Sequence, residues 1–311
     1  MITLAETIQL LVMMHLSCSC LAGRGVPCEI TGQYQIPKKS CPTPNRCLPY
    51  FVILGPPKTG TSFLTHHLNR HPQIMSSFTK EPGFFDSRPP LNFSWYLEQF
   101  PTTTASDAVV TFEATSRNLL YPHIIKDHLP DARFILILRD PAERLYSHYG
   151  MSLRRTDLDP KTTLQQFTTP LHNTYVSCER KFGATRLFPE MVSCLYRYPK
   201  IYFFGCYDAI IKAWRNIFRQ NLKLLILTHE EVTEDTAATL DRITDFLEVS
   251  RCNWEGSNFT AVNKNMLAYR NAENDKFMPT VRHWYRHGNR ELELLLQRKF
   301  DWKTSPKERK R

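Results

Sequence analysis

The stretch Arg133-Phe134-Ile135-Leu136-Ile137-Leu138, followed by Asp140-Pro141-Ala142-Glu143, constrains the fold more than any other feature of the chain. An unbroken apolar run of that length is the mark of a strand buried on both faces. Asp at an N-cap, Pro at the first helical position and Glu at the third open a helix, expected to run towards Arg154. The pattern recurs. Tyr50 to Leu54 is a β-prone run, followed by a Gly- and Pro-containing loop and helical spacing from Thr61 to Arg70, where His71-Pro72 ends it. Ala108 to Phe112 reads as a strand before a helix over Asn118 to His128. Leu222 to Leu227 is another buried-type strand, with a helix over Thr236 to Leu247. A strand is also expected at Ile201 to Phe204, and helices at Tyr207 to Arg219 and Arg290 to Phe300.

Strands alternating with helices imply one α/β domain, a central parallel sheet flanked by helices, with a P-loop-like phosphate loop after the first strand. In such folds ligands sit outside the carboxyl ends of the strands. The positions to inspect are therefore 55–62, 113–118, 139–147 and 228–231. The expected organisation is a signal peptide or short anchor over 1–22, a Pro/Cys-rich leader over 23–49, the domain over 50–302 and a basic tail over 303–311.

Gly55-Pro56-Pro57-Lys58-Thr59-Gly60-Thr61-Ser62 joins the first strand to the first helix. Glycine lets the backbone approach an anion, the helix start offers unpaired N–H groups, and Lys58, Thr61 and Ser62 add a charge and two hydroxyls. It is not a Walker A loop, which places Lys after its last Gly, so a kinase or ATPase is disfavoured. Arg139 ends the RFILIL strand, and Ser147 lies within the next helix. Such a pair suits a second phosphate. Thr79-Lys80-Glu81-Pro82-Gly83-Phe84-Phe85-Asp86 supplies a carboxylate suited to proton abstraction, and Glu113-Ala114-Thr115-Ser116 a second one after the next strand.

On these motifs the chain resembles the sulfotransferase family. PKTGTS resembles its 5′-phosphosulfate loop, the Arg139–Ser147 pair its 3′-phosphate site, and TKEPGFF the KEPHFF-type stretch of glycosaminoglycan sulfotransferases, with Gly83 where His is usual. The paired-Cys loop from Cys178 to Cys194, Asn263-Lys264-Asn265, Met278-Pro279-Thr280 and Phe300-Asp301-Trp302 are similar to the chondroitin 4-sulfate 6-O-sulfotransferase subgroup. The resemblance implies transfer of a sulfuryl group from 3′-phosphoadenosine 5′-phosphosulfate (PAPS) to a hydroxyl of a glycosaminoglycan such as chondroitin or dermatan sulfate. Lys58, Thr59, Gly60, Thr61 and Ser62 would hold the 5′ end of PAPS, and Arg139 and Ser147 its 3′-phosphate. Lys58 would be catalytic, Glu81 the general base, Lys80 a neighbour of the sulfuryl group or the acceptor, and Glu113 an acceptor contact or a support for Lys58. A non-carbohydrate acceptor, or a secreted polyanion-binding protein without turnover on the same fold, stays open.

Net charge is +10, which draws polyanions but chooses none. A polyanionic carbohydrate is the expected partner, and with no nucleic-acid motif beside the charge no nucleic acid is expected. Arg88, Arg154, Arg155, Lys181 and Arg186 are candidates to meet it, against an ordinary surface role. Phe84, Phe85, Trp95 and Tyr96 have core packing as the safer reading against sugar stacking. Nine cysteines without a zinc-type spacing point to disulfides in an oxidising compartment, and no metal is expected. The sequons at Asn92 and Asn258 agree, so the Golgi lumen or secretion is the expected location. Residues 8–21 are apolar and followed by Ala22-Gly23, as in a signal peptide, and membrane association is expected through that segment alone.

Overall fold

The computed structural model describes residues 28–31, 37–87, 90–183, 188–195, 200–254, 257, 259 and 270–302. The apolar segment at 8–21, the sequon at Asn258, the Asn263-Lys264-Asn265 stretch, Arg88, Arg186 and the basic tail lie outside them. Among the described residues no helix is long and apolar enough to cross a membrane.

In chain order the elements are β1 Glu29–Thr31, β2 Phe51–Ile53, α1 Thr61–Leu68, β3 Ile74–Ser76, α2 Phe93–Glu98, β4 Val110–Glu113, α3 Pro122–His128, β5 Arg133–Leu138, α4 Pro141–Arg154, α5 Leu164–Phe182, α6 Phe188–Cys194, α7 Lys200–Phe203, α8 Tyr207–Phe218, β6 Lys223–Thr228, α9 His229–Glu234, α10 Thr236–Leu247, β7 Arg251–Asn253 and α11 Ala272–Leu296. Five strands form one parallel sheet in the order β3-β4-β2-β5-β6. The expected parallel α/β domain is what the structure shows.

β5 explains the sheet's place at the centre. Phe134, Leu136 and Leu138 point into one buried cluster with α4, α5 and α8, while Ile135 and Ile137 point into the other, with α1 and α10. β2 divides likewise, Val52 and Leu54 to one side and Phe51 and Ile53 to the other. Period-2 alternation thus places both faces in apolar surroundings, which is why neither strand shows a polar stripe. Asp140 caps α4 as expected, accepting from the amides of Ala142 (2.9 Å) and Glu143 (3.3 Å). Arg282 from α11 pairs with Asp140 at 3.3 Å and Glu143 at 2.6 Å, tying the last long helix to this junction.

Several expectations are corrected. Ile201 to Phe204 is not a strand: Lys200–Phe203 is the short helix α7. A short apolar run carries no period that separates strand from buried helix, and Tyr202 and Phe203 here fill the core. The helix expected over 118–128 is interrupted. A 3₁₀ turn spans Ser116–Leu120, and α3 starts afresh at Pro122, whose missing N–H suits only a first turn. The last helix covers Ala272–Leu296 and stops before the expected Phe300, with Gln297 left-handed at φ 50°.

Disulfides join Cys41 to Cys47 and Cys178 to Cys194. A third joins Cys28 to Cys252, and β1 pairs with β7 antiparallel beside it. Part of the leader is therefore fastened to β7, which follows the last strand of the sheet in sequence. Phe84, Phe85 and Tyr96 are buried in the core, the packing reading of those rings.

Candidate active site

The loop after β2 is shaped by its glycines. A Cβ at Gly55 would stand 2.5 Å from Cγ2 of Thr61, so the chain folds tightly back over the start of α1. Gly60, the N-cap of α1, has φ 106° and ψ 11°. Lys58 is also left-handed, at φ 78°, a conformation a non-glycine residue keeps only when its surroundings hold it. Two contacts do so. Arg139 donates from Nη1 to the Lys58 carbonyl oxygen at 2.8 Å, and Nδ1 of His229 lies 3.0 Å from the Thr59 carbonyl oxygen. A carbonyl only accepts, so Nδ1 of His229 carries the proton. Thr59 is fully buried and bonds the Pro56 carbonyl at 2.9 Å, supporting the turn from inside.

This loop floors a cleft of about 1240 Å³ at the carboxyl ends of the strands, lined by Lys58, Gly60, Thr61, Ser62, Lys80, Glu81, Arg139, Arg154 and Arg155 among others. The cleft is strongly cationic. Burial, then the neighbouring Arg154, Arg139 and Arg155 charges, lower Lys58 from its usual value to about 8. Burial, followed by the nearby Arg144 and Lys58 charges, pushes His148 down to about 3. Burial, then Arg139, lowers His229 to about 4. Both imidazoles are therefore neutral at physiological pH. The protein has concentrated positive charge where its own carboxylates do not fully neutralise it, the arrangement expected where an anion binds.

Glu81 faces the same cleft, left-handed at φ 65°. Its Oε1 accepts from Nζ of Lys80 at 2.8 Å and from Oγ of Ser116 at 3.3 Å. Lys80 and Glu81 thus form an ion pair on the cleft wall, each side chain about one-third exposed. Gly83 sits at φ 72°, a conformation that disfavours any side chain there, including the His usual at that place. Arg117, which lines the cleft and is paired with Asp86, has Nη2 3.8 Å from where a Gly83 Cβ would be.

Three candidates sit off the cleft wall: Thr59, buried within the loop, and Glu113 and Ser147. Glu113 is fully buried, accepting from Tyr96 Oη at 2.6 Å and Thr115 Oγ1 at 2.5 Å. Its burial raises its pKa. It forms no part of the cleft wall, where an acceptor contact would have to lie. Ser147 is also buried, and the residues that reach the cleft are His148, Met151, Ser152 and Arg154 of α4 and its C-cap Arg155. Arg117 and His229 also line the cleft, within the strand-end positions 113–118 and 228–231, and so does Lys200, which no sequence motif marks. The spacing 148, 151, 152, 155 is one helical face and is the signal that marks those four. Among the described residues no three His, Cys, Asp or Glu side chains gather as a metal set.

The sulfotransferase domain model matches residues 48–298, the span that contains the sheet and every cleft residue named above. The chain belongs to the sulfotransferase domain family. It is 35% identical over 133 residues to the membrane-associated sulfotransferase kil1 of Dictyostelium discoideum, covering 39% of this chain and 28% of that one. It is 27% identical over 212 residues to human bifunctional heparan sulfate N-deacetylase/N-sulfotransferase 2, covering 65% of this chain and 22% of that one. The chain thus spans about a quarter of the length of these relatives. A sulfotransferase from Alicyclobacillus acidocaldarius has the same fold, with a TM-score of 0.58 at 21% identity over 83% of this chain and 99% of that one.

Proposed function

We propose that the protein is a PAPS-dependent carbohydrate sulfotransferase. One observation carries the reading: Lys58, Arg139 and Glu81 all open onto a single cationic cleft. The donor set suits PAPS. Lys58, the hydroxyls of Thr61 and Ser62 and the α1 amides form one anion cradle, and Arg139 with Arg154 and Arg155 offers cations for a second phosphate. PAPS, when bound, supplies a sulfuryl group on a phosphate leaving group.

In this reading Lys58 neutralises charge developing on the oxygen between phosphorus and sulfur as that S–O bond breaks. Glu81 accepts the proton of the acceptor hydroxyl while its oxygen forms the new S–O bond. Lys80, ion-paired with the same carboxylate at 2.8 Å, lies where a sulfated acceptor would approach. Ser147, buried in α4, supports the helix face that carries the cations instead of reaching the cleft.

The proposed acceptor is a glycosaminoglycan. The subgroup motifs favour chondroitin or dermatan sulfate, and the human relative named for heparan sulfate favours that backbone as the second reading. The domain is proposed to act in the Golgi lumen or after secretion, since three disulfides among the described residues need an oxidising compartment. The test is incubation with radiolabelled PAPS and a panel of sulfated and desulfated chondroitin, dermatan and heparan chains, followed by disaccharide analysis. Label in a galactosamine-containing disaccharide supports the first acceptor and in a glucosamine-containing one the second. Tight PAPS binding with no label in any chain overturns both.

A further inference from the structure

The segment that carries Glu81 is anchored from beneath by a group that never reaches the cleft. Glu81 and Gly83 are both left-handed, at φ 65° and 72°, so the turn between them has a conformation that needs an outside restraint. One restraint is visible. The Gly83 amide donates to Oγ1 of Thr115 at 3.2 Å. That hydroxyl gives its single proton to Oε2 of Glu113 at 2.5 Å. The Thr115 amide reaches the same oxygen at 3.3 Å, and Tyr96 Oη donates to Oε1 at 2.6 Å. Glu113 and Thr115 are both fully buried. The next residue, Ser116, donates to Glu81 Oε1 at 3.3 Å. A hydroxyl has one proton and two lone pairs. With its proton committed to Glu113, Thr115 can only accept from Gly83, which fixes the sense of the whole chain of bonds.

We propose that Glu113 and Thr115 are positioning residues for Glu81. The carboxylate at the end of β4 orients the Thr115 hydroxyl, which pins the Gly83 amide and, with Ser116, sets the Glu81 carboxylate against the floor of the cleft. This rests on the reading of Glu81 as the base. Rigid support of this kind matters because a misplacement of about 1 Å costs a reaction roughly a hundredfold.

The test compares Thr115→Val and Thr115→Ser with the wild type in the whole chain. Valine keeps the volume and removes the hydroxyl, while serine keeps the hydroxyl. Three quantities are read: exchange of the Gly83 amide hydrogen, affinity for 3′-phosphoadenosine 5′-phosphate, and kcat with PAPS and the polysaccharide chain that accepts label best, or water where none does. In Thr115→Val the Gly83 amide is expected to exchange roughly fivefold faster, the loss of one ordinary hydrogen bond. Turnover is expected to fall between roughly ten- and a hundredfold with nucleotide affinity unchanged. Thr115→Ser is expected to restore both. Unchanged Gly83 exchange in Thr115→Val overturns the relay. Faster exchange with unchanged turnover, or an equal loss of nucleotide affinity, overturns its positioning role. Wild-type turnover in Glu81→Gln overturns instead the reading of Glu81 as base, and leaves the relay to be judged on exchange alone. If Thr115→Val does not fold, loss of Gly83 protection in Thr115→Ser overturns the proposal and retention with full turnover supports it.

Discussion

Nη1 of Arg139 donates to the carbonyl oxygen of Lys58 across 2.8 Å, so the residue at the end of β5 holds the main chain of the loop after β2. These strands are neighbours in the sheet, paired from Phe51 with Arg133 to Ile53 with Ile135, which is what brings their carboxyl ends together. Arg139 therefore keeps Lys58 in its left-handed conformation, and in the proposed reading it also offers charge to an anion.

The two tasks separate in Arg139→Lys. A lysine keeps the positive charge but loses the fork that reaches a carbonyl and a phosphate at once. Affinity for 3′-phosphoadenosine 5′-phosphate is expected to fall by roughly tenfold or more, the worth of about 1.5–3 kcal/mol for a charge-assisted hydrogen bond. Titration calorimetry on the two proteins checks it. Equal affinity would confine Arg139 to the loop.

Gly60→Ala tests the loop itself. At φ 106° any side chain is strained, and the new Cβ would stand 3.1 Å from Nδ1 of His229, the atom that bonds the Thr59 carbonyl. The expected cost is about 1–3 kcal/mol of stability. Nucleotide affinity should fall with it, because the displaced His229 no longer anchors the loop. Chemical denaturation and calorimetry on the same variant check both. A stable variant with normal affinity would show that the loop has slack.

The expected α10, Thr236 to Leu247, coincides with the observed helix, and β5 likewise, since each has a clean period or an unbroken apolar run with capping signals. The loop at 55–62 was legible because glycine, lysine and hydroxyls in one turn have few other uses. α5 was not read. Its capping box, Thr163 with Gln166, is plain in the sequence, but Pro170 and many polar residues blur the period that follows. β3 is three residues long, too short to show any period. Glu113 looked like a cleft residue because it ends a strand. Its register faces it inward to Tyr96, and no local pattern distinguishes those two outcomes. The cleft face of α4 needed the fold before its four spaced positions meant anything.

The Cys28–Cys252 bond closes a span of 224 residues, a pairing no local spacing signals. In the chain-entropy account such a crosslink stabilises by about 5 kcal/mol, and measured effects are commonly smaller. Replacing both cysteines by serine is expected to lower Tm by several degrees and to release β1 from β7. Nucleotide affinity should survive, since neither strand touches the cleft. Calorimetry and proteolysis near residue 31 check it. An unchanged Tm would show that β1–β7 pairing holds without the bond.

Lys58 supplies the sharpest pH test. Burial, then Arg154, Arg139 and Arg155, bring it to about 8 from the usual 10.5. A lowered lysine value means the folded protein disfavours the charged form. The penalty is complete below about pH 8, where the residue is charged in both folded and unfolded chains. It is relieved between about 8 and 10.5, where the folded protein loses the proton first. Lys58→Met should therefore be more stable than the wild type at pH 7, by roughly 2 °C in Tm after allowance for solvent screening of a half-buried group. That advantage should shrink above pH 8. The anion needs the charged form, so wild-type affinity for 3′-phosphoadenosine 5′-phosphate should weaken as pH rises through about 8, and the methionine variant should show weak, pH-independent binding. Melting curves and calorimetry from pH 6.5 to 10 check both halves. A methionine variant less stable than the wild type at pH 7 would mean the cleft's cations are already balanced within the folded chain.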